Sequence, residues 1–289
     1  PEHMPVLIAL VRAYEGTGVL GKTQAVSTGP NAPLVLLSGP VIERLGFNYG
    51  TCVLGPGSPS YVNTVIGRAL RLILMNVGQA YPGRGDMDTI GTPAKYSFCA
   101  AEHAARTPWE TWNVAQGFDR DASTLSIALV YPGPDVYDST ATTPAGMLDT
   151  VATLTGGYIG TASVGRWLFG GRGDPTTKRR LREQNVLLLA PTHADLIRAA
   201  GWSRSEVAQY LHDRSRIPFK RLQSSILSPQ SDALLAGHPE LSFLLDQPET
   251  LVSIAESPDC YQVFVTGGDV GRSQFYYGGS EVSTVAIED

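Results

Sequence analysis

Two short, uninterrupted apolar runs, each followed by helical periodicity, constrain the fold of this 289-residue chain more than any other feature. The first run covers residues 33–39 and stops at Pro40, and the second covers residues 186–190. A continuous apolar run bounded by turn residues is typical of a strand buried on both faces. The order of strand and then helix in both halves predicts an α/β fold, with a mixed sheet flanked by helices and arranged as two related α/β lobes.

The helix after the first strand has the clearest periodicity in the sequence. Apolar residues recur at helical spacing through residues 60–77, with Ser58 as the expected N-cap. Between the two halves, the Gly-rich and Arg-rich residues 171–182 predict a linker or mobile loop. This loop separates an N-terminal lobe at residues 1–170, which carries Gly-rich site loops, from a C-terminal lobe at residues 183–289.

The charge balance and the cysteine spacing exclude several classes of protein. The chain has 22 basic and 27 acidic residues and a net charge of -5, which argues against a protein built mainly to bind nucleic acid. It contains no run of 18 apolar residues, so we expect no membrane span. Cys52, Cys99 and Cys260 are an odd number at wide spacing, unlike a secreted disulfide framework. We therefore expect a cytoplasmic protein.

One window, residues 86–103, is the densest in reactive side chains. If residues 98–104 are helical, Cys99, Glu102 and His103 share one face, so that a thiolate nucleophile at Cys99 lies near an imidazole and Glu102 moves the proton. The same trio also suits a zinc site, and in a second form of that site Cys99 and His103 are joined by an acid from Asp86 or Asp88. The alternative is a buried apolar cysteine, with Glu102 and His103 facing solvent.

A second set of residues suggests that the chain binds an anion. The Gly- and Ser-rich loop before residue 60 lies at the positive end of the long helix, and a Gly-rich corner follows a strand near the C-terminus. The expected substrate-binding residues are Gly57, Ser58, Ser60, Arg68, Asp86, Lys95 and Arg272. We expect the site to form where the loops at residues 47–60 and 77–99 meet. A capped turn and solvated arginines are the competing interpretation.

Several motifs together resemble a large bacterial family whose members are often encoded near small proteins with a Sec-Gly-Ser-Cys (UGSC) motif. The motifs are Leu45-Gly-Phe-Asn-Tyr-Gly, Leu54-Gly-Pro-Gly, Ile66-Gly-Arg-Ala-Leu-Arg-Leu, Gly85-Asp-Met-Asp-Thr-Ile-Gly, Pro93-Ala-Lys-Tyr-Ser-Phe-Cys-Ala-Ala-Glu102 and Thr266-Gly-Gly-Asp-Val-Gly-Arg272. The resemblance covers nearly the whole chain but implies no particular reaction.

The resemblance has implications for the site residues and the partners. It implies that Cys99 and Glu102 carry over, and that further sequence precedes Pro1. Family members have Asn where His103 stands, and Lys-His-Ser where Arg272-Ser-Gln stands, which argues against His103 as a shared catalytic group. These differences suggest a specialised chain or a subunit, with a thiol or selenol partner protein or an upstream-encoded chain.

We therefore predict a small-molecule metabolic enzyme that acts on an anionic, carboxylate-type substrate by lyase or thiol-transfer chemistry. We also expect an oligomer, and the sequence indicates no particular cofactor. One alternative is a subunit that docks a thiol or selenol partner through residues 172–221, which hold 11 of the 22 basic residues. The other is a metal-dependent hydrolase that uses Cys99, His103 and Asp86 or Asp88.

Overall fold

The computed structural model describes residues 1–18, 25–55, 57–158, 168, 172–173, 180–223 and 238–288. Within these residues the helices are α1 (Met4–Gly16), α2 (Val41–Leu45), α3 (Tyr61–Asn76), α4 (Trp112–Ala115), α5 (Pro144–Tyr158), α6 (Pro191–Ala200), α7 (Arg204–Arg214), α8 (Lys220–Gln223) and α9 (Phe243–Asp246). Short 3₁₀ turns lie at Pro93–Lys95, Ala104–Arg106, Pro239–Leu241 and Pro258–Cys260. The strands are β1 (Ala32–Ser38), β2 (Cys99–Ala101), β3 (Thr124–Tyr137), β4 (Arg172–Gly173), β5 (Arg180–Leu181), β6 (Asn185–Leu189), β7 (Arg216–Pro218), β8 (Leu251–Ser253), β9 (Tyr261–Val265), β10 (Arg272–Gly278) and β11 (Ser283–Ala286).

Seven of these strands form one mixed sheet, which confirms the predicted α/β class. The strand order is β2-β1-β3-β10-β6-β9, and β11 pairs with the first part of β3. The pairs β1/β2 and β6/β9 are parallel, whereas β3 is antiparallel to β1 and β10, and β10 is antiparallel to β6. The sheet curls into a half-barrel with helices on its flanks.

Each half of the chain contains a helix, a strand of the sheet and then a helix pair, although the second half has additional elements. The first half runs α1, β1, α2, α3, β2, α4 and β3, and the second runs α5, β4, β5, β6, α6, α7, β7, α8, α9, β8, β9 and β10. The residue after the edge strand makes the same bond in each half: the Glu102 N–H donates to Leu37 O at 2.9 Å, and the Thr266 N–H donates to Leu189 O at 3.0 Å. The β3/β10 pair joins the halves, so one sheet contains strands of both.

Both faces of the sheet are covered, which explains the uninterrupted apolar runs. Leu34 and Leu36 of β1 pack with Trp112 and Phe264 in a cluster on the inner, concave face. The alternate residues of β1 pack under α1 and α3 in a second cluster on the outer face. A third cluster lies on the outer face under α5, α6 and α7. Apolar residues on both sides of a strand leave no polar position in its pattern.

Helix α3 forms where the periodicity predicted it, but its N-cap lies two residues after the expected cap. Ser60, and not Ser58, is the N-cap, because its Oγ accepts the Val62 N–H at 3.2 Å. A Cβ on Gly67 would lie 2.6 Å from Phe98 N, so the glycine lets α3 pack closely on the chain that leads into β2.

Two expectations concern regions that are only partly described. Most of the predicted linker at residues 171–182 lies outside the described residues, and within it β4 pairs with β5. The division into lobes at residues 1–170 and 183–289 stays a prediction. Among the described residues, no helix is both long enough and apolar enough to cross a membrane.

Candidate active site

A cavity of about 330 Å³ lies at the carboxyl ends of β1 and β2. Its lining includes Gly39, Tyr49, Glu102, His103, Thr111 and Arg120. The curl of the sheet closes this region from one side, because the His103 N–H donates to Val265 O at 2.8 Å and Thr266 Oγ1 donates to Ala101 O at 2.6 Å. The end of β2 is thereby fixed against the end of β9.

Glu102 is the buried acid of this cavity, with 2% of its surface exposed. Its carboxyl group accepts the Ser38 hydroxyl at 2.5 Å and the Trp112 N–H at 2.9 and 3.0 Å. Burial raises the pKa of Glu102, against the opposing effects of these hydrogen bonds and of the Arg204 charge. The side chain is therefore a carboxyl group whose proton is held more tightly than in water.

The Ser38 hydroxyl connects Glu102 to a second acceptor. Ser38 Oγ lies 3.2 Å from Asn113 Oδ1 and accepts the Asn113 N–H at 3.1 Å. The Asn113 amide group is held in turn by the carbonyls of residues 119, 120 and 122. The hydroxyl hydrogen can point to ionised Glu102, or to Asn113 Oδ1 when Glu102 is protonated. The network thus has an arrangement for each protonation state.

Arg204 of α7 brings a positive charge toward Glu102 from the second half of the chain. Its guanidinium group lies 4.6 Å from the ring centroid of Trp109 and 5.6 Å from that of Trp112, and it donates to Val263 O and Glu110 O. Burial lowers the pKa of Arg204 to about 10, and the charge of Glu102 acts in the opposite direction. The group remains cationic at neutral pH and favours the ionised form of the acid.

His103 and Thr111 each present a polar atom with no partner among the described residues. The Nδ1 of His103 and the Oγ1 of Thr111 are both shielded from solvent. The His103 ring packs edge to face on Tyr49, with the centroids 4.8 Å apart. Burial, and then the Arg106 charge, lower the pKa of His103, so its imidazole is neutral at pH 7. Both residues line the cavity, but these two atoms do not face its open space.

Arg106 fixes the segment that carries His103. Its guanidinium group pairs with Asp195 of α6 and lies 3.3 Å from Asp269 in the turn between β9 and β10. Asp195 also binds Arg198 at 2.8 Å. These contacts hold the 3₁₀ turn after His103 against the second half of the chain.

The prediction that Cys99 acts as a nucleophile is wrong, because it required a helix that the structure does not have. Residues 99–101 form β2, paired in parallel with β1, so residues 98–104 are not one helix and do not share a helical face. The Cys99 side chain has no exposed surface and packs in the outer apolar cluster beneath α3. Burial raises the pKa of its thiol far above neutrality, which keeps it protonated.

Asp86 and Lys95 belong to a buried ion cluster and not to an anion site. Lys95 Nζ lies 2.7 Å from Asp86 and 2.9 Å from Asp88, and Arg71 binds Asp86 at 2.9 Å. Asp86 and Asp88 already form ion pairs with Lys95, the cation that was expected to hold the substrate. The alternative zinc site is wrong for the same reason: Asp86 is taken by cations, and Cys99 lies in the core. No group of three or more His, Cys, Asp or Glu side chains in the described ranges could hold a metal ion.

The other predicted binding residues are separated from Glu102. Ser58 and Ser60 are bound within their own loop, where Ser58 Oγ accepts from the Asn48 side chain and Ser60 Oγ donates to Gly46 O. Arg68 lies over the Tyr96 ring at 4.5 Å. Arg272 pairs with exposed Asp135 and lies over the Tyr137 ring at 4.7 Å. None of these residues lines the Glu102 cavity, and neither does Gly57.

The loops at residues 47–60 and 77–99 do meet, but around a different cavity. This second cavity has a volume of about 260 Å³ and is lined by Leu54 and Gly55 from one loop and by Thr92, Ser97 and Phe98 from the other. Neither Cys99 nor Glu102 lines it. Where we expected a single site, the structure therefore has two separate cavities.

Sequence reasoning found Glu102 but missed the groups that control it. Ser38 ends the first apolar strand, directly before Gly39-Pro40, which is a local signal for a side chain at a strand end. The positions of Trp112 and Arg204 depend on contacts across the sheet and have no local signal.

The basic segment at residues 172–221 is largely neutralised where it is described. Lys220 pairs with Glu249 at 2.6 Å, Arg198 pairs with Asp195, and Arg214 lies 3.8 Å from Asp149. Asp195 within the segment and two acids outside it, Glu249 and Asp149, thus balance part of its charge.

No protein-family model matches this chain, and neither do the curated proteins or the solved structures. The resemblance to the UGSC-associated family stays a prediction, and the geometry alone supports the functional inferences below.

Proposed function

We propose that the protein is a small-molecule metabolic enzyme that performs general acid–base chemistry, of the lyase type, on a carboxylate-bearing substrate in the Glu102 cavity. The observation that carries this proposal is a buried carboxyl group on the wall of a cavity of about 330 Å³, which is large enough for a small metabolite.

Glu102 acts as the proton-transfer group. A carboxyl group with a raised pKa keeps its proton nearer to neutral pH, where both giving and taking a proton become efficient. The Ser38 hydroxyl supports both forms, because it can donate either to Glu102 or to Asn113 Oδ1. The charge of Arg204 limits the rise in pKa, so the ionised form stays accessible.

His103 and Thr111 border the substrate, because both residues line the cavity. Because His103 is neutral at pH 7, it suits a polar, uncharged group next to the reacting carbon.

Arg120 provides the site for the substrate carboxylate. Arg120 is the arginine among the described residues that line the cavity, and its guanidinium group pairs with the exposed Glu110. Arginine binds carboxylates through two parallel hydrogen bonds, so a substrate carboxylate can replace Glu110. Lys95 and the start of α3 have no part in this proposal, and the burial of Cys99 removes the basis for thiol transfer.

Proton exchange at carbon tests the reaction class before the product is known. The protein is incubated in D₂O with 2-oxo and 3-oxo acids of three to five carbons, and ¹H NMR follows the loss of the C–H signals next to the carbonyl. We expect catalysed exchange with at least one acid, lowered about 100-fold or more by Glu102→Gln.

The matched control is Glu249→Gln, an exposed glutamate paired with Lys220. It should keep the wild-type rate, and thermal unfolding should show that both variants are folded. Equal exchange in Glu102→Gln and the wild type, or no exchange above the buffer rate with any acid, contradicts the proposal.

A further inference from the structure

The second cavity, between the two loops and β10, is a built binding pocket in its own right. Besides the loop residues, Pro132 of β3 and Gln274 and Tyr276 of β10 line it. Its volume of about 260 Å³ lies just below the range of about 300–1,000 Å³ that is usual for drug-sized ligands. A single-ring compound fits this size.

Tyr276 contributes a hydroxyl group that makes no hydrogen bond with another described residue. The side chain as a whole is only 7% exposed, and its ring packs edge to face on Phe98 with the centroids 5.1 Å apart. The hydroxyl oxygen is not among the unpaired atoms that are shielded from solvent. Because Tyr276 lines the cavity, this accessible hydroxyl group is available to a ligand.

Gln274 provides a second polar group on the same side of β10. Its Nε2 donates to Gly133 O at 2.8 Å, which leaves Oε1 as an acceptor. A β-bulge lies between Gln274 and Tyr276, where the partner strand has one extra residue. Bulges occur frequently next to functional sites, because they reorient the side chains around them.

The charge around the cavity selects for a neutral ligand. Its lining contains no Lys, Arg or His side chain. Burial, and then the charge of Asp135, raise the pKa of Tyr276, so the phenol stays protonated and donates. An anion would therefore find no cation in the lining to balance its charge.

We propose that this cavity binds a small neutral ring compound with an amide group, whose carbonyl accepts from Tyr276 Oη and whose N–H donates to Gln274 Oε1. The ring lies against Leu54, Pro132 and Phe98. This site is separate from the Glu102 cavity and does not depend on the acid–base proposal.

Binding of benzamide, measured by ligand-observed NMR titration of the full chain, tests the proposal. Benzoate is the matched anionic probe, and we expect it to bind at least about 10-fold more weakly. Tyr276→Phe keeps the ring on Phe98 and removes the hydroxyl group, so we expect it to weaken benzamide about 3- to 10-fold.

Ala94→Leu provides an independent variant, since Ala94 is a partly exposed residue of the lining whose larger replacement fills the cavity. It should abolish benzamide binding, and Glu102→Gln should leave the affinity unchanged. Absence of benzamide binding to the wild type overturns the proposal. So does wild-type affinity in Ala94→Leu or Tyr276→Phe, equal binding of benzoate, or a loss of benzamide binding in Glu102→Gln.

Discussion

The Ser38 hydroxyl lies 2.5 Å from Oε2 of Glu102 and ties together the carboxyl ends of the neighbouring parallel strands β1 and β2. The same hydroxyl accepts the Asn113 N–H. One small side chain therefore controls the ionisation of the buried acid and the position of α4 below it.

Removing this hydroxyl should both destabilise the protein and shift the titration of Glu102. In Ser38→Ala the Asn113 N–H loses its acceptor, so we expect a loss of about 1–3 kcal/mol in the free energy of unfolding, measured with urea. The pKa of Glu102 should rise further, because a hydrogen bond that lowers it is gone. Ser139→Ala, which removes an exposed hydroxyl bonded to Tyr137, should stay within about 0.5 kcal/mol. Equal losses in the two variants would contradict this role for Ser38.

The raised pKa of Glu102 predicts a pH-dependent contribution to stability. The folded state keeps this proton over a pH range in which the unfolded chain has released it, so the group favours folding at low pH. That contribution is lost as the pH rises through the folded-state pKa. We expect the unfolding free energy of the wild type, relative to that of Glu102→Gln, to fall as the pH rises above about 4.5, the ordinary pKa of a glutamate. A constant difference in urea unfolding across this range would show that the pKa is not raised.

Arg106 should control the titration of His103. Its charge lowers the pKa of His103, whereas Asp195 and Asp269 raise it. Arg106→Ala removes the repulsion, leaves Asp269 without this arginine and leaves Asp195 with Arg198 alone, so the pKa of His103 should rise. NMR titration of the imidazole signals, assigned with His103→Gln, measures the shift. Arg198→Ala removes the other arginine bound to Asp195 and should have a smaller effect. A larger shift in that control would assign the role to Arg198.

The three cysteines should differ sharply in reactivity. Cys52 is exposed, whereas Cys99 and Cys260 are buried. An aromatic disulfide reagent should therefore titrate one thiol in the native protein and three after denaturation. Cys52→Ser should remove the fast reaction. A rapid reaction at Cys99 in the folded Cys52→Ser variant would restore the thiol mechanism.

The ion cluster around Asp86 should contribute strongly to stability. Asp86→Asn leaves Arg71 and Lys95 without a carboxylate that both contact, in a site where these side chains are about 10% exposed. Removing one partner of a buried pair costs about 3–5 kcal/mol. The control is Asp135→Asn, which breaks an exposed pair with Arg272 and should cost about 0–1 kcal/mol. Similar costs in chemical denaturation would contradict the buried character of the Asp86 cluster.

Local patterns in the sequence predicted the elements that local interactions determine. Helix α3 forms where its periodicity indicates, with Val62 and Ile66 buried, although Val65 and Leu72 are exposed. Ser203 and Glu206, which have the spacing of a capping box, form one at the start of α7. These features depend on neighbours one turn apart.

Features set by distant contacts were not predicted. Residues 99–101 resemble a helical segment, yet pairing with β1 makes them a strand, because a three-residue strand carries too little pattern of its own. Glu102 was found from the density of reactive residues around it. Its raised pKa was not predicted, since it depends on burial at a strand end and on Arg204, which is distant in sequence.

The matching hydrogen bonds of Glu102 and Thr266 place two different side chains at corresponding strand ends. The first half places an acid in a cavity at this point, and the second places a threonine whose hydroxyl group holds the end of β2 at Ala101. The two positions thus have the same backbone hydrogen bond but differ in the substitutions that they accept. Thr266 can be exchanged for any side chain that keeps its bond to Ala101, whereas no exchange at Glu102 preserves a carboxyl group in the same place.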